Sequence, residues 1–533
     1  MKKTFLLTAL AMSSCLASWA QVSYDIIPRP QSVEQPKKTG ELILTANAEV
    51  GTDTQSEAMT RLAGMVVSNM AEGPGLQVAF NAKAKKPAIM LALGLKSENK
   101  EAYKIEVDKK GVTIQGATEE GVFRGIQSLY KILGTEQADT LRLPYVTIQD
   151  EPRFGYRGVH MDVARHFFPM EEVKQYIDIL ALHGCNQLHW HITDDQGWRF
   201  EVKSMPELAK KGSIRKQTVI GHNLPIFDGQ EYGRDMYFTQ EQCREIVKYA
   251  AERYINIIPE IDLPGHMVAA LHVYPELGCT GGPYDVWGIW GVSADVLCAG
   301  NPKVLPFLKQ VLDEVCAVFP SKYIHIGGDE SPRDRWKACP KCQAKMKELG
   351  LTRESELQTY INKELEKYIA EKHGRRIIGW DETLEGGLSE DAIVMSWRGN
   401  AGGIQAAKLH HEVVMTPNSE CYFDYYQLKN HNAQPMAIGG YIPVSKVYSL
   451  EPVPAELTEE EGKYILGAQC NLWSEYITAP EHLEFMLLPR LAALCEVQWT
   501  KPELKNLENF KARLPRMMKM YDRKGWKYCP RTE

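Results

Sequence analysis

Two carboxylates, Asp329 and Glu330, follow a glycine pair in the stretch YIHIGGDESP. Neighbouring side chains on a strand point to opposite faces. Both acids can therefore reach one site only if the chain turns at Gly327-Gly328, where glycine leaves φ unrestricted. Adjacent carboxylates in a dry pocket repel, which raises the pKa of one of them and keeps a proton on it. A retained proton is what a leaving oxygen needs when a glycosidic bond breaks, together with a nucleophile or base across the ring. For any single Asp-Glu pair the competing reading is a solvated surface pair; here the pair ends an apolar run.

The same kind of ending recurs. Asp162 and Arg165, Asp194 and Asp195, Glu260, Asp262 and His266, Trp380, Asp381 and Glu382, Trp397 and Arg398, and Trp473 and Glu475 each follow a short apolar segment. Acids and tryptophans with few cations suit a sugar better than a phosphate. Indole faces stack on the apolar side of a pyranose, and carboxylates accept from its hydroxyls. A phosphate site would call for clustered Arg and Lys or a glycine-rich loop opening a helix, and Gly327-Gly328 lacks that wider pattern.

Eight strand-like segments position these residues: 158–163, 186–193, 255–263, 323–330, 375–382, 392–398, 412–418 and 465–475. Amphipathic stretches such as PMEEVKQYIDILALHG and ELQTYINKELEKYIAEKHG separate them. This alternation predicts an α/β fold, a (β/α)8 barrel over residues 153–533 with C-terminal helices, whose site lies at the C-terminal strand ends. A flat doubly wound sheet is the weaker alternative. Residues 21–152 read as a small α/β support domain, with a hairpin at Lys109-Lys110-Gly111 and a helix capped by Thr118.

A formal charge of −6 gives no basic footprint, which argues against a nucleic-acid partner. Residues 1–20, with Lys2, Lys3, an apolar run and Ser18-Trp19-Ala20, read as a signal peptide and predict export, periplasmic or secreted. A lipid anchor at Cys15 is the rival reading. No later run is long and apolar enough to span a bilayer. Among twelve cysteines, Cys339-Pro-Lys-Cys342 has zinc-like spacing, but no second pair follows at a suitable distance. Two surface thiols or a local disulfide is the expectation there, with Cys279 and Cys298 stapling a Gly/Trp-rich loop. No metal and no cofactor is expected.

HIGGDE, DVARHFFP, HWHITDDQGWR, PEIDLPGH, GWDE, SWRG, YFDYY and LWSE, in this order, resemble the family 20 glycoside hydrolases, the β-N-acetylhexosaminidases. YDIIPRPQSVE resembles the start of that family's N-terminal domain. The resemblance implies exo-acting, substrate-assisted retaining hydrolysis of terminal N-acetylhexosamines from a glycan. Glu330 would be the general acid and base, and Asp329 would orient the acetamido group. It further implies that Tyr422 bonds the acetamido carbonyl and that Arg165, Asp424 and Glu475 hold hydroxyls. Trp380, Trp397 and Trp473 would wall the pocket, and Asp194 and His266 would form a pair behind the acids. His160, His189, His191 and His325 read as packed interior residues. A disaccharide-releasing relative such as a lacto-N-biosidase and a non-catalytic glycan-binding barrel are the alternatives. The loop 213–240 is expected to shape the site beyond the first sugar.

Overall fold

Eight segments buried on both faces form the strands of the larger unit, and their near-continuous apolar character is that of a parallel sheet covered on each side. In the computed structural model, which describes residues 19–222, 226–387 and 391–532, they are β1 (Tyr156–Asp162), β2 (Gln187–His191), β3 (Asn256–Glu260), β4 (Tyr323–His325), β5 (Arg376–Trp380), β6 (Ile393–Ser396), β7 (Val413–Met415) and β8 (Ile465–Cys470). They pair in this order and close into a barrel, β8 returning to β1 with Gly158 opposite Gln469. Helices Met170–His183, Val304–Val318 and Ser355–His373 lie between strands, each burying one apolar face such as Val173, Ile177 and Leu180. The chain ends in helices Arg490–Trp499 and Leu507–Lys524.

Register decides what meets at the mouth. Asp162 on β1 stands opposite His191 on β2, His191 opposite Glu260 on β3, and Glu260 opposite His325 on β4. One row of polar residues thus crosses four strands at their C-terminal ends. The strand expected over 323–330 is shorter than its sequence pattern. The regular strand β4 ends at His325, and the ladder runs on only through Ile326, which donates to Ile378, and Gly327, which accepts from Trp380, before Gly327 (φ +63°) and Gly328 (φ +99°) turn the chain out of the sheet.

The smaller unit comprises Ser32–Asp150 with the described residues up to Ile26, while Ile27–Gln31 count with the barrel unit of Glu151–Glu533. It holds a seven-stranded mixed sheet and two helices, Glu57–Glu72 and Glu119–Leu133. Tyr103–Asp108 and Gly111–Gly116 form the hairpin at its centre. Thr118 caps the second helix by accepting from the Glu120 N–H. The stretch read as a signal peptide falls on residues 1–18, outside the described residues, and on Trp19 and Ala20, which belong to the short strand Trp19–Gln21 whose backbone pairs with Thr140–Arg142.

Candidate active site

The turn after β4 is built to deliver both acids. At Gly327 a side chain would be strained by the left-handed φ, and its Cβ would collide with the Asp262 carboxylate. Asp262 instead accepts a bond from the Gly328 N–H at 3.1 Å. Glu330 itself sits at φ +44°, a conformation uncommon for a residue with a side chain and one that clusters at functional sites. The outcome is that Asp329 and Glu330 face one cavity of about 210 Å³, shared with Arg165, Trp380, Trp397, Tyr422, Asp424, Trp473 and Glu475. Oδ1 of Asp329 is buried without a hydrogen-bond partner among the described residues. The Glu330 carboxyl is open to the cleft, its side chain 44% exposed. Partial burial, and then the neighbouring Asp329 charge, push its pKa above the ordinary carboxylate value.

Behind the acids lies a chain of charge. His266 stands with Nε2 3.7 Å from Asp329 and 3.9 Å from Glu330, and with Nδ1 3.2 Å from Asp194. Burial opposes a charge on this imidazole, but Asp194, Asp195 and Asp329 outweigh it and hold its pKa well above the usual histidine range. Asp194 also accepts from Arg165 Nη2 at 2.7 Å and from His191 Nε2 at 2.9 Å. Burial alone would raise its pKa; Arg165 and His266 bring it far below the carboxylate range. Arg165 is aimed by two further acceptors, Asp162 at 3.2 Å and Gln196 at 3.0 Å, and its guanidinium lies over the Trp473 ring. A fork anchored on three acceptors holds its remaining donors in fixed directions.

The walls are aromatic and their polar edges are tied down. Trp380 donates its indole N–H to Glu260 at 3.1 Å, and Trp397 donates to Glu382 at 3.0 Å. Trp397 stacks against Tyr422 with centroids 5.9 Å apart, and Trp380 meets Trp473 at 5.9 Å. Neither carboxylate oxygen of Asp424 has a hydrogen-bond partner among the described residues although the residue is 3% exposed. Burial, then the charge of Glu475, raises its pKa strongly. A buried acceptor left unsatisfied in a cavity is a demand for a ligand's donors.

All nine residues assigned by resemblance to holding the sugar or backing the acids therefore gather around the acid pair. Seven line the cavity, and Asp194 and His266 lie behind it. The reading passed over Tyr425 and Ile438, which also line it, and the work of Glu382 and Glu260. Tyr425 belongs to the YFDYY stretch and could have been found there; Ile438 carries no signal in its own neighbourhood. Glu260 holds three histidines about it, His189 at 2.9 Å, His191 at 2.6 Å and His325 at 3.0 Å, all fully buried. His160, likewise fully buried, packs against the His189 and Trp473 rings. The loop 213–240, whose residues 223–225 lie outside the described ones, sends Arg215 to the Arg165 carbonyl at 2.8 Å. It thus supports the arginine's backbone from behind. Cys339 and Cys342 are not surface thiols: both are buried, Cys342 with Met346 on the one inward face of helix Pro340–Leu349.

Architecture and mouth together place the chain among the acid-lined (β/α)8 barrels built as glycoside hydrolases are. Residues 154–502 match the catalytic domain of glycosyl hydrolase family 20 and residues 23–151 match domain 2 of that family, and the chain belongs to it. A β-hexosaminidase of Porphyromonas gingivalis is 46% identical over 82% of the chain and 55% of its own length, so the chain spans about half of that relative. The family 20 β-N-acetylhexosaminidase of Streptomyces coelicolor superposes with a TM-score of 0.82 at 28% identity, covering 96% of this chain and 98% of its own. A mutant Streptomyces plicatus β-hexosaminidase in complex with product GlcNAc gives 0.82 at 28% identity over 95% of this chain and 96% of its own.

Proposed function

We propose that the protein is an exo-acting β-N-acetylhexosaminidase that removes terminal β-linked N-acetylglucosamine or N-acetylgalactosamine from glycans with retention, the substrate supplying the nucleophile. The observation that carries this reading is that Asp329 and Glu330, consecutive in sequence, face one cavity walled by Trp380, Trp397, Trp473 and Tyr422. At about 210 Å³ that cavity falls below the roughly 300–1,000 Å³ of ordinary ligand pockets, which suits one terminal sugar rather than a chain.

In this mechanism the 2-acetamido oxygen attacks the anomeric carbon while Glu330 delivers its proton to the departing oxygen. The bond to the leaving group breaks as the ring of the oxazolinium closes. Asp329, with Oδ1 free, receives the acetamido N–H and balances the positive charge that develops there. Tyr422 donates to the acetamido oxygen and keeps it aimed. Water then adds to the anomeric carbon, giving its proton back to Glu330 and reopening the acetamide. Arg165, Asp424 and Glu475 hold the hydroxyls, Asp424 with both acceptors unused by the described residues. His266, held between Asp194 and the acid pair, stabilises negative charge on Asp329. The N-terminal pattern of Lys2, Lys3 and an apolar run supports export of the chain.

Turnover of 4-nitrophenyl N-acetyl-β-glucosaminide set against the plain β-glucoside tests the mechanism. Only the N-acetyl substrate should react. Comparable cleavage of both would show that an enzyme carboxylate is the nucleophile and would overturn the assignment of Asp329.

A further inference from the structure

Away from the mouth, four cysteines from two loops converge. Cys279 Sγ lies 3.8 Å from Cys342 Sγ, and Cys298 Sγ lies 3.7 Å from Cys339 and 3.6 Å from Cys342. All four sulfurs fall within 4.8 Å of one another. These separations are far from the roughly 2.05 Å of a disulfide. They match the edges, about 3.8 Å, of a tetrahedron whose corners stand roughly 2.3 Å from a central zinc.

The backbone around the sulfurs is shaped for such a centre. Gly300 lets the loop after Cys298 press against the Cys339–Cys342 turn, since a Cβ there would collide with the Lys341 carbonyl. A Cβ at this position would also meet the Cys342 backbone nitrogen, so the Gly300 backbone lies directly against the cysteine turn. Cys298, Cys339 and Cys342 are buried and Cys279 is half-buried, so the cluster is shielded without being sealed. Cys339 and Cys342 stand at the start of helix Pro340–Leu349. Cys298 is held by its own N–H bond to the Leu277 carbonyl at 2.8 Å, beside the Gly278–Leu297 bridge.

We propose that Cys279, Cys298, Cys339 and Cys342 bind one zinc ion as a structural staple between the loop after β3 and the loop after β4. Binding replaces four thiol protons by the metal and releases them, leaving Zn(S)4 with a net charge of −2; no electron moves. The location gives the staple its role. Leu297 donates to the Pro264 carbonyl at 3.0 Å, two residues before His266, and accepts from Trp336 on the Glu330 side at 2.9 Å. Asp295 and Arg335 bridge the same two loops at 2.7 Å. The cysteines are therefore positioning residues for the segments that carry His266 and the acid pair, and the site stands independently of the reaction assigned to the mouth.

The test is elemental analysis of the full chain purified without added metal or chelator, combined with thiol counting by mass spectrometry. The expected result is about one zinc per chain, and four thiols alkylated only after denaturation with chelator. A Cys298→Ser/Cys342→Ser double variant should lose the zinc, whereas Cys470→Ser, a buried cysteine outside the cluster, should retain it. Exchange of the zinc for cobalt in the unmutated protein should produce thiolate charge-transfer absorption, which reads the ligands even if the double variant fails to fold. Absence of zinc with Cys279, Cys298, Cys339 and Cys342 joined in two disulfides would overturn the proposal. So would iron in place of zinc, or zinc retained by the double variant.

Discussion

At the scale of single residues, the acid pair works because its two members differ in surroundings. Glu330 is partly exposed and pushed upward by burial and by Asp329, while His266 pulls in the opposite sense. Removing the Asp329 charge with Asp329→Asn should lower the Glu330 pKa, so the alkaline limb of kcat/KM moves to lower pH. His266→Ala removes a positive charge and should move that limb to higher pH. Residual activity of both variants followed over pH checks the signs, and shifts in the same direction would break the link between these groups. Asp424 shows the cost of a waiting site. Its folded pKa is raised, so the ionised form burdens the native state above the unfolded value of about 3.9 and increasingly until pH passes the folded value. Asp424→Asn should therefore raise the thermal midpoint at neutral pH, by the equivalent of about 1–3 kcal/mol, with the gain shrinking toward pH 4. Activity should fall, since an amide offers half the acceptors of a carboxylate.

Among the elements, the turn after β4 decides the most. Two consecutive left-handed glycines end the strand early and swing Asp329 and Glu330 into the same cavity. Gly327→Ala meets both an unfavourable φ and the Asp262 carboxylate. It should destabilise the protein by about 1–3 kcal/mol and lower kcat by more than it raises KM, because the acids rather than the sugar-holding residues are displaced. Calorimetry and steady-state kinetics on the same sample separate the two effects; a variant with unchanged kcat would show that the turn is not what aims the acids. The pattern of alternating apolar residues could not reveal that β4 ends at His325, since Ile326 continues the alternation and only the dihedral choice at the glycines stops it.

Across the whole barrel, the polar row from Asp162 through His191 and Glu260 to His325 links four strands and feeds the charge chain at the mouth. Asp194 anchors it, with a pKa depressed in the folded state chiefly because Arg165 and His266 overcome its burial. A depressed carboxylate contributes stability that is present above the unfolded value, about 3.9, and lost as pH falls through the folded one. Asp194→Asn should cost about 3–5 kcal/mol at neutral pH, the loss typical of a broken buried ion pair. It should also flatten the dependence of the thermal midpoint on pH in the acid range. An unchanged acid slope would mean that other carboxylates carry the acid lability of the barrel.

By itself the sequence determined the eight strands, the helices between them, and the acids and tryptophans at the strand ends. Each of these is written in local periodicity, and a parallel barrel places successive strand ends on one rim. The motif order was enough to point to the family, and the acid pair was legible because Gly-Gly-Asp-Glu ends an apolar run, as acids end the neighbouring ones. Tertiary structure alone decided which residues from distant segments share a cavity or a cluster. Ile438 reaches the mouth and Glu382 finds Trp397 through loop paths that no periodicity encodes. Cys279 and Cys298 meet Cys339 and Cys342 because a glycine at 300 lets two backbones touch. Local pattern reports the face on which a side chain lies; contacts between segments far apart in the chain depend on register and loop packing, which the whole fold sets together.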